Sequence, residues 1–317
     1  MRVLVTGADG FVGRHLVEQL VEAGHEVCAG CRPGGEPAQS WLTPRALEQV
    51  TLLPLEISDS ESVRAALRPP LDAIIHLAAV ASGSEARQDP GRAWVVNAAG
   101  TARLVHSALL LRDRAGVDPL VLVVSSAEVY GHGPAKPRVE TDPLSPQSPY
   151  AASKVGSEVA ALEAWRRASL RVVIARPFPH TGPGQSQLYV IPAFLQRLRA
   201  AREAKATQVP TGNLDPVRDL LDVRDVARAY IELLVSGAPG EAYNVARGEG
   251  VTLRELFRRL ADLAGVNVEP VPDAALMRSG DIQYLVGDAS KLNRATGWSP
   301  RITLEQTLRE MVDAQAH

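Results

Sequence analysis

A phenol and an ammonium stand four residues apart in Ser148-Pro149-Tyr150-Ala151-Ala152-Ser153-Lys154. Residues i and i+4 share one face of a helix. The spacing is therefore expected to bring the Lys154 charge to the Tyr150 ring and to favour the ionised phenol. A tyrosine whose pKa falls from about 10 can exchange a proton with a hydroxyl or carbonyl near neutral pH. Such a pair is common on helix surfaces, so its meaning depends on its company. That company begins at Ser125-Ser126-Ala127-Glu128-Val129-Tyr130-Gly131, which follows an apolar run. Hydroxyls at the carboxyl end of a central strand lie where open α/β sheets bind ligands. Ser126 is expected to hydrogen-bond the oxygen that Tyr150 protonates. Glu128, two residues further along a strand-like segment, would point to the same side. It reads either as an acid/base group reaching the ligand or as a structural carboxylate for the following loop.

A second constellation sits at the start of the chain. Gly7-Ala8-Asp9-Gly10-Phe11-Val12-Gly13 lies between an apolar strand and a helical pattern. Glycines at this spacing allow a tight turn and let backbone N–H groups approach a pyrophosphate at a helix N-terminus. The context of strand, loop and helix makes this a dinucleotide-binding signal. The next strand ends Gly30-Cys31-Arg32, with no Asp or Glu to accept from the adenosine ribose. Arg32 is instead placed for a 2′-phosphate, so NADP is expected, with NAD as the alternative. Glu56 and Ile57, after the third strand, are counted with the cofactor contacts.

These groups need a frame. Short apolar runs at 2–6, 26–31, 50–55, 72–77, 120–125 and 170–175 alternate with helical patterns at 11–23, 60–67, 93–112 and 149–167. Continuous apolar strands separated by helices indicate a parallel sheet covered on both faces. With right-handed crossovers, the expected fold class is α/β, a doubly wound parallel sheet. Past residue 176 the rhythm becomes irregular, and 176–185 reads as a loop rich in Pro and Gly. Residues 1–176 are expected to form the dinucleotide-binding domain. Residues 177–317 are expected to form mainly a smaller substrate-binding lobe, with some segments returning to the first domain.

Composition narrows the class. Hydrophobic residues make up 45% of the 317, enough for a full core, but aromatics are only 4%, so Ala, Leu and Val must pack it. With 34 basic and 36 acidic residues the formal charge is -2, which argues against nucleic-acid or membrane-surface binding, since both need a basic excess. No apolar run approaches the roughly 20 residues of a membrane span. Met1 leads directly into the first strand, and a cleavable signal would destroy that strand, so a cytoplasmic location is expected. Cys28 and Cys31 form a C-x-x-C pair, but residues three apart in a strand face opposite ways and no second pair exists to complete a zinc site. They read as structural, and no metal is expected.

Taken together, the glycine loop, His76-Leu77-Ala78-Ala79, Asn97, the serines before Tyr130-Gly131, and Tyr150 with Lys154 resemble the extended short-chain dehydrogenase/reductase family over nearly the whole chain. The resemblance implies one Rossmann domain with a nicotinamide cofactor, a nucleotide-sugar substrate, a C-terminal lobe, and a homodimer built through a four-helix bundle. It adds Leu77, Ala78, Ala79, Asn97 and Arg176 to the cofactor contacts. The stretch Ala175-Arg176-Pro177-Phe178-Pro179-His180-Thr181-Gly182-Pro183-Gly184-Gln185 resembles the substrate loop of GDP-4-dehydro-6-deoxy-D-mannose reductases, and so do Arg218-Asp219 and Val223-Arg224-Asp225. The segment Met277-Arg278-Ser279-Gly280-Asp281 is similar to a tail shared with GDP-mannose 4,6-dehydratases. On this basis Pro179, His180, Arg218 and Arg278 join Ser126 and Glu128 as substrate contacts. The family usually has Asn where this chain has Pro179. The implied activity is NADPH-dependent reduction of the C4 ketone of GDP-4-dehydro-6-deoxy-D-mannose to GDP-D-rhamnose. The alternatives are a 4-epimerase or 4,6-dehydratase that retains NAD, or a catalytically inactive dinucleotide-binding protein.

Overall fold

The structure is a computed structural model that describes residues 1–277 and 280–314. Seven strands form its main sheet: β1 (Arg2–Thr6), β2 (Glu26–Cys31), β3 (Val50–Pro54), β4 (Ala73–His76), β5 (Leu120–Val124), β6 (Val172–Pro177) and β7 (Ala242–Val245). Their order is β7-β6-β5-β4-β1-β2-β3, and every neighbouring pair is parallel. The order reverses between β1 and β4, which opens a crevice at their carboxyl ends.

Period-2 alternation divides the strand side chains between two cores. Val3 and Val5 of β1, with Ile75 of β4, pack against Leu16 and Leu20 of helix Phe11–Glu22 and Leu233 of helix Val223–Ser236. Leu4, Ile74 and Val123 face the other way, onto Leu104 of helix Gly100–Ala115 and Ala161 of helix Pro149–Ala168. Both faces of the sheet are thus dry, as a doubly wound sheet requires. A third core lies outside the sheet, in a C-terminal helical lobe. There Phe194 of helix Val190–Ala204 meets Phe257 of helix Leu253–Leu263 edge to face, with centroids 5.3 Å apart. Among the described residues no helix is long and apolar enough to cross a membrane.

Two differences from the sequence reading have local causes. The expected continuous helix over 93–112 is broken: a short helix Pro90–Ala93 runs into a wide π-turn at Trp94–Ala99 before the regular helix Gly100–Ala115. Asn97 sits within that turn and is fully engaged in hydrogen bonds to other elements. The sixth strand begins and ends two residues later than expected. Ser169, at φ 53°, closes the preceding helix, and Arg176 and Pro177 remain in the ladder opposite Asn244 and Val245. The loop therefore begins at Phe178 rather than at Arg176.

Candidate functional site

A cavity of about 930 Å³ lies between the carboxyl edge of the sheet and the C-terminal lobe. That is ample for a cofactor together with part of a substrate. The glycine loop forms one wall. Gly7 has φ +69°, and a Cβ there would lie 2.9 Å from the Ala78 Cα. A Cβ on Gly13 would lie 2.4 Å from the Gly7 carbonyl oxygen. Neither position can take a side chain. The helix that follows starts at Phe11 with no side-chain cap and no acidic residue in its first turn. Its partial positive end is left for an anion, so these residues fit a dinucleotide pyrophosphate. Gly7, Gly10, Phe11, Val12 and Gly13 all line the cavity, as do Leu77, Ala78 and Ala79 opposite them. Arg32, Glu56 and Ile57 line its far end. The Glu56 carboxylate accepts from Ser58 N and Oγ at 2.9 and 2.5 Å, and these bonds hold its pKa below the usual carboxylate range.

The other wall carries Ser126, Glu128, Tyr150 and Lys154, with Pro179 and His180 from the loop after β6. Ser126 both caps a turn and faces the cavity. Its Oγ accepts from Glu128 N at 3.2 Å, and it hydrogen-bonds the Tyr150 phenol. Glu128 reaches the cavity through the short 3₁₀ turn Ala127–Tyr130, not through strand alternation. Phe11 and His180 stack nearly parallel, 3° apart, which ties the glycine loop to the loop after β6. Burial lowers the His180 pKa.

The electrostatics of the pair depart from expectation. Lys154 Nζ donates to the Val124 carbonyl at 2.8 Å. Burial lowers its pKa to about 8, opposed by the nearby Glu158 charge. The Tyr150 phenol is pushed upward, first by burial and then by the Glu128 charge, against the Ser126 hydrogen bond. The expectation that Lys154 lowers the Tyr150 pKa is therefore corrected. Sharing a helix face does not make two groups partners when a strand-end carbonyl lies closer to the ammonium.

Four other expected contacts stand differently. Arg176 does not line the cavity. It is buried in β6, where it forms a bidentate pair with Glu158 (3.0 and 2.8 Å) and donates to Tyr130 Oη at 3.0 Å. Its guanidinium is consumed inside the protein, so it is not a cofactor contact. Asn97 also lies behind the wall. It accepts from Val80 N (2.8 Å) and donates to Val80 O (3.1 Å) and Ser153 Oγ (2.8 Å), bracing the wall from outside. Arg218 lies away from the cavity lining, with Nη1 donating to the carbonyls of Val217 and Ile282. Arg278 lies outside the described residues.

Sequence reasoning overlooked several groups. Glu158, four residues after Lys154 on the same helix, carries the i,i+4 signal that could have found it. Thr6 and His76 form a buried relay under the glycine loop. Ala78 N donates to Thr6 Oγ1 (3.1 Å), Thr6 Oγ1 pairs with His76 Nδ1 (2.8 Å), and His76 Nε2 pairs with Thr101 Oγ1 (3.1 Å). Thr101 in turn donates to Asn97 O (2.7 Å). With the threonine hydroxyls so directed, the proton of His76 lies on Nε2. Burial and the Lys154 charge hold its pKa down to about 3, so the ring stays neutral. Tyr189, whose Oη donates to Ala81 O at 3.5 Å across the cavity wall, gave no signal in the sequence. Among the described residues no cluster of three or more His, Cys, Asp or Glu is placed to hold a metal ion.

The site and its sheet match known proteins along nearly their whole length. A family model described as GDP-mannose 4,6 dehydratase matches residues 4–311. The GDP-6-deoxy-D-mannose reductase of Pseudomonas aeruginosa is 37% identical over 315 residues, covering 98% of this chain and 96% of the relative. A structure of RMD from Pseudomonas aeruginosa complexed with NADPH superposes with a TM-score of 0.81 at 35% identity, covering 99% of this chain and 98% of that one. The UDP-glucose 4-epimerase of Mycolicibacterium smegmatis is 31% identical over 323 residues, 99% of this chain and 98% of the relative. The chain thus belongs to the GDP-mannose 4,6 dehydratase family, among the NAD(P)-dependent extended short-chain dehydrogenase/reductases that act on nucleotide sugars.

Proposed function

We propose that the protein reduces the C4 ketone of GDP-4-dehydro-6-deoxy-D-mannose to GDP-D-rhamnose, with NADPH preferred over NADH. The observation that carries this reading is the Tyr150 phenol. It is buried, hydrogen-bonded to Ser126, and kept protonated by its surroundings. A reduction needs a proton donor at the ketone oxygen, and a neutral phenol is one. The similarity to the P. aeruginosa reductase supports the same substrate class.

In this reading a nicotinamide dinucleotide held by the glycine loop would supply a hydride to the ketone carbon. Tyr150 Oη gives its proton to the carbonyl oxygen as negative charge builds there. Ser126 Oγ holds that oxygen in line. Lys154, charged below about pH 8, adds a positive field next to the reacting carbon and presents a donor to the cofactor ribose. The glycine loop would hold the pyrophosphate, with Leu77, Ala78 and Ala79 lining the cavity opposite it. Residues 177–317 supply the substrate side, with His180 and Pro179 at the sugar.

The test is to incubate the enzyme separately with GDP-4-dehydro-6-deoxy-mannose plus NADPH and with GDP-mannose alone. Consumption of the ketone with stoichiometric NADPH oxidation supports the proposal. Consumption of GDP-mannose without added NADPH, abolished by Glu128→Gln, would overturn it in favour of a dehydratase. That second reading has its own support: Glu128 lines the cavity and its charge acts on Tyr150.

A homodimer is part of the proposal. Trp94 (46% exposed) and Val159 (60%) lie on the outer sides of the two helical segments that would form a four-helix bundle. Gly156 lets those segments approach closely, since a Cβ there would lie 2.8 Å from Trp94 Cζ3. Trp94→Asp should convert a dimer to monomers in light scattering. A wild-type monomer would end this part of the reading.

A further inference from the structure

The adenosine end of the cavity contains, beside Arg32 and Glu56, a third charge that the strand-end rule does not anticipate. Asp9 lines the cavity beside Arg32. Its carboxylate packs against the turn at 32–35: a Cβ built on Gly35 would lie 2.7 Å from Asp9 Oδ2. The turn itself is closed by Gly35 N donating to Arg32 O at 3.1 Å. Arg14 binds both sides of this junction. Its Nε donates to the Asp9 carbonyl at 2.9 Å, and its Nη2 pairs with Glu36 at 2.5 Å. Asp9 is therefore held on a rigid element, with its backbone tied to the turn that carries Arg32. Among the described residues no hydrogen bond or ion pair engages the Asp9 carboxylate. Its field reaches the neighbouring Cys31 thiol and helps raise that pKa. Arg32, by contrast, is solvent-exposed and forms no ion pair among the described residues.

We infer that Asp9 is a specificity-determining residue that opposes Arg32: its carboxylate accepts from a ribose hydroxyl and repels a 2′-phosphate, so that NADH remains usable beside NADPH. The inference rests on the dinucleotide-binding part of the proposed function. The physical contrast is one of preorganisation. A short carboxylate side chain on a tied backbone, packed against the turn at Gly35, has few rotamers to lose when it accepts a hydrogen bond. A solvated arginine must be ordered first, and water and salt screen its pull on the phosphate. The acidic group that usually closes the second strand is absent here. The first glycine loop supplies a carboxylate from the other side of the same ribose position.

The test measures binding rather than turnover. NADH and NADPH differ only in the 2′-phosphate, so the ratio of their dissociation constants isolates this end of the cavity. Both constants are read by nucleotide fluorescence titration on the full chain, for wild type, Asp9→Asn, Asp9→Ser and Arg32→Ser. The expected result is that both Asp9 variants shift the ratio toward NADPH by roughly fivefold at low salt, and less at high salt. Arg32→Ser should shift it the opposite way. Two Asp9 variants are used so that poor folding of one leaves the other decisive. An unchanged ratio in the folded variant, or a shift toward NADH, would overturn the inference. A wild type with no preference whose Asp9 variants still shift toward NADPH would uphold it while removing the proposed NADPH preference.

Discussion

The two ends of the cavity are built on different physics. At the Tyr150 end, Ser125, Tyr130, Lys154, Glu158 and Arg176 are buried, and each has a polar partner inside the protein. At the Arg32 end, the charged groups stand nearer solvent: Arg32 is exposed, and Asp9 and Glu56 are half-buried. Burial magnifies every charge and shifts every pKa, whereas exposure screens them. The first end is therefore suited to proton transfer, and the second to a graded choice between similar ligands. Changes at the first end should have large effects, and changes at the second small ones.

The largest effect is expected from Tyr150→Phe. It removes the proton donor and keeps the ring, and should lower turnover roughly 10²–10⁴-fold with little change in dinucleotide affinity. Near-normal turnover in steady-state assays would break the comparison at its buried end. Glu158→Ala should be nearly as severe for stability. It leaves the Arg176 guanidinium, whose side chain is 7% exposed, without its carboxylate. Breaking such a pair costs about 3–5 kcal/mol, readable by denaturant unfolding. A loss below about 1 kcal/mol would show that the pair is not buried in solution.

The pH profile sharpens the contrast further. The Lys154 pKa in the folded protein lies at about 8, below its ordinary 10.5. Catalytic activity should therefore fall as pH rises through about 8, because the ammonium is lost. Stability should move the opposite way. Between about 8 and 10.5 the unfolded chain holds the Lys154 proton and the folded one does not, so this group's contribution rises with pH over that window. A turnover profile flat to pH 10 would contradict the assignment of the charge. The smallest effect is expected from Arg32→Asp at the exposed end. It should reverse or erase a preference for NADPH while leaving turnover with the better cofactor within a few-fold, as suits a screened contact. Equal kinetics with both cofactors in the wild type would remove the preference altogether.

Much of the frame was legible because local pattern and tertiary structure agreed. β1 and β2 occupy the spans their apolar runs indicate, and the glycine loop lies where strand meets helix. The sequence reading starts the loop at Arg176, because Pro and Gly follow it, and so leaves Arg176 and Pro177 out of the strand. A proline tolerated at the last position of a strand hides the strand's true end.

What the sequence determined by itself was the parallel sheet, the dinucleotide loop, and the candidacy of Ser126, Tyr150 and Lys154, since those depend on periodicity and on spacings of a few residues. What the tertiary structure alone decided was which group each charge meets. Lys154 turns to the Val124 carbonyl, Arg176 to Glu158, and Asn97 to Val80, and partners 17 to 30 residues apart in the chain cannot be assigned from helix or strand spacing. The protonation state of Tyr150 follows from the same cause. It depends on how much water the folded chain removes and on where Glu128 comes to rest, and neither quantity exists until the cavity has closed around them.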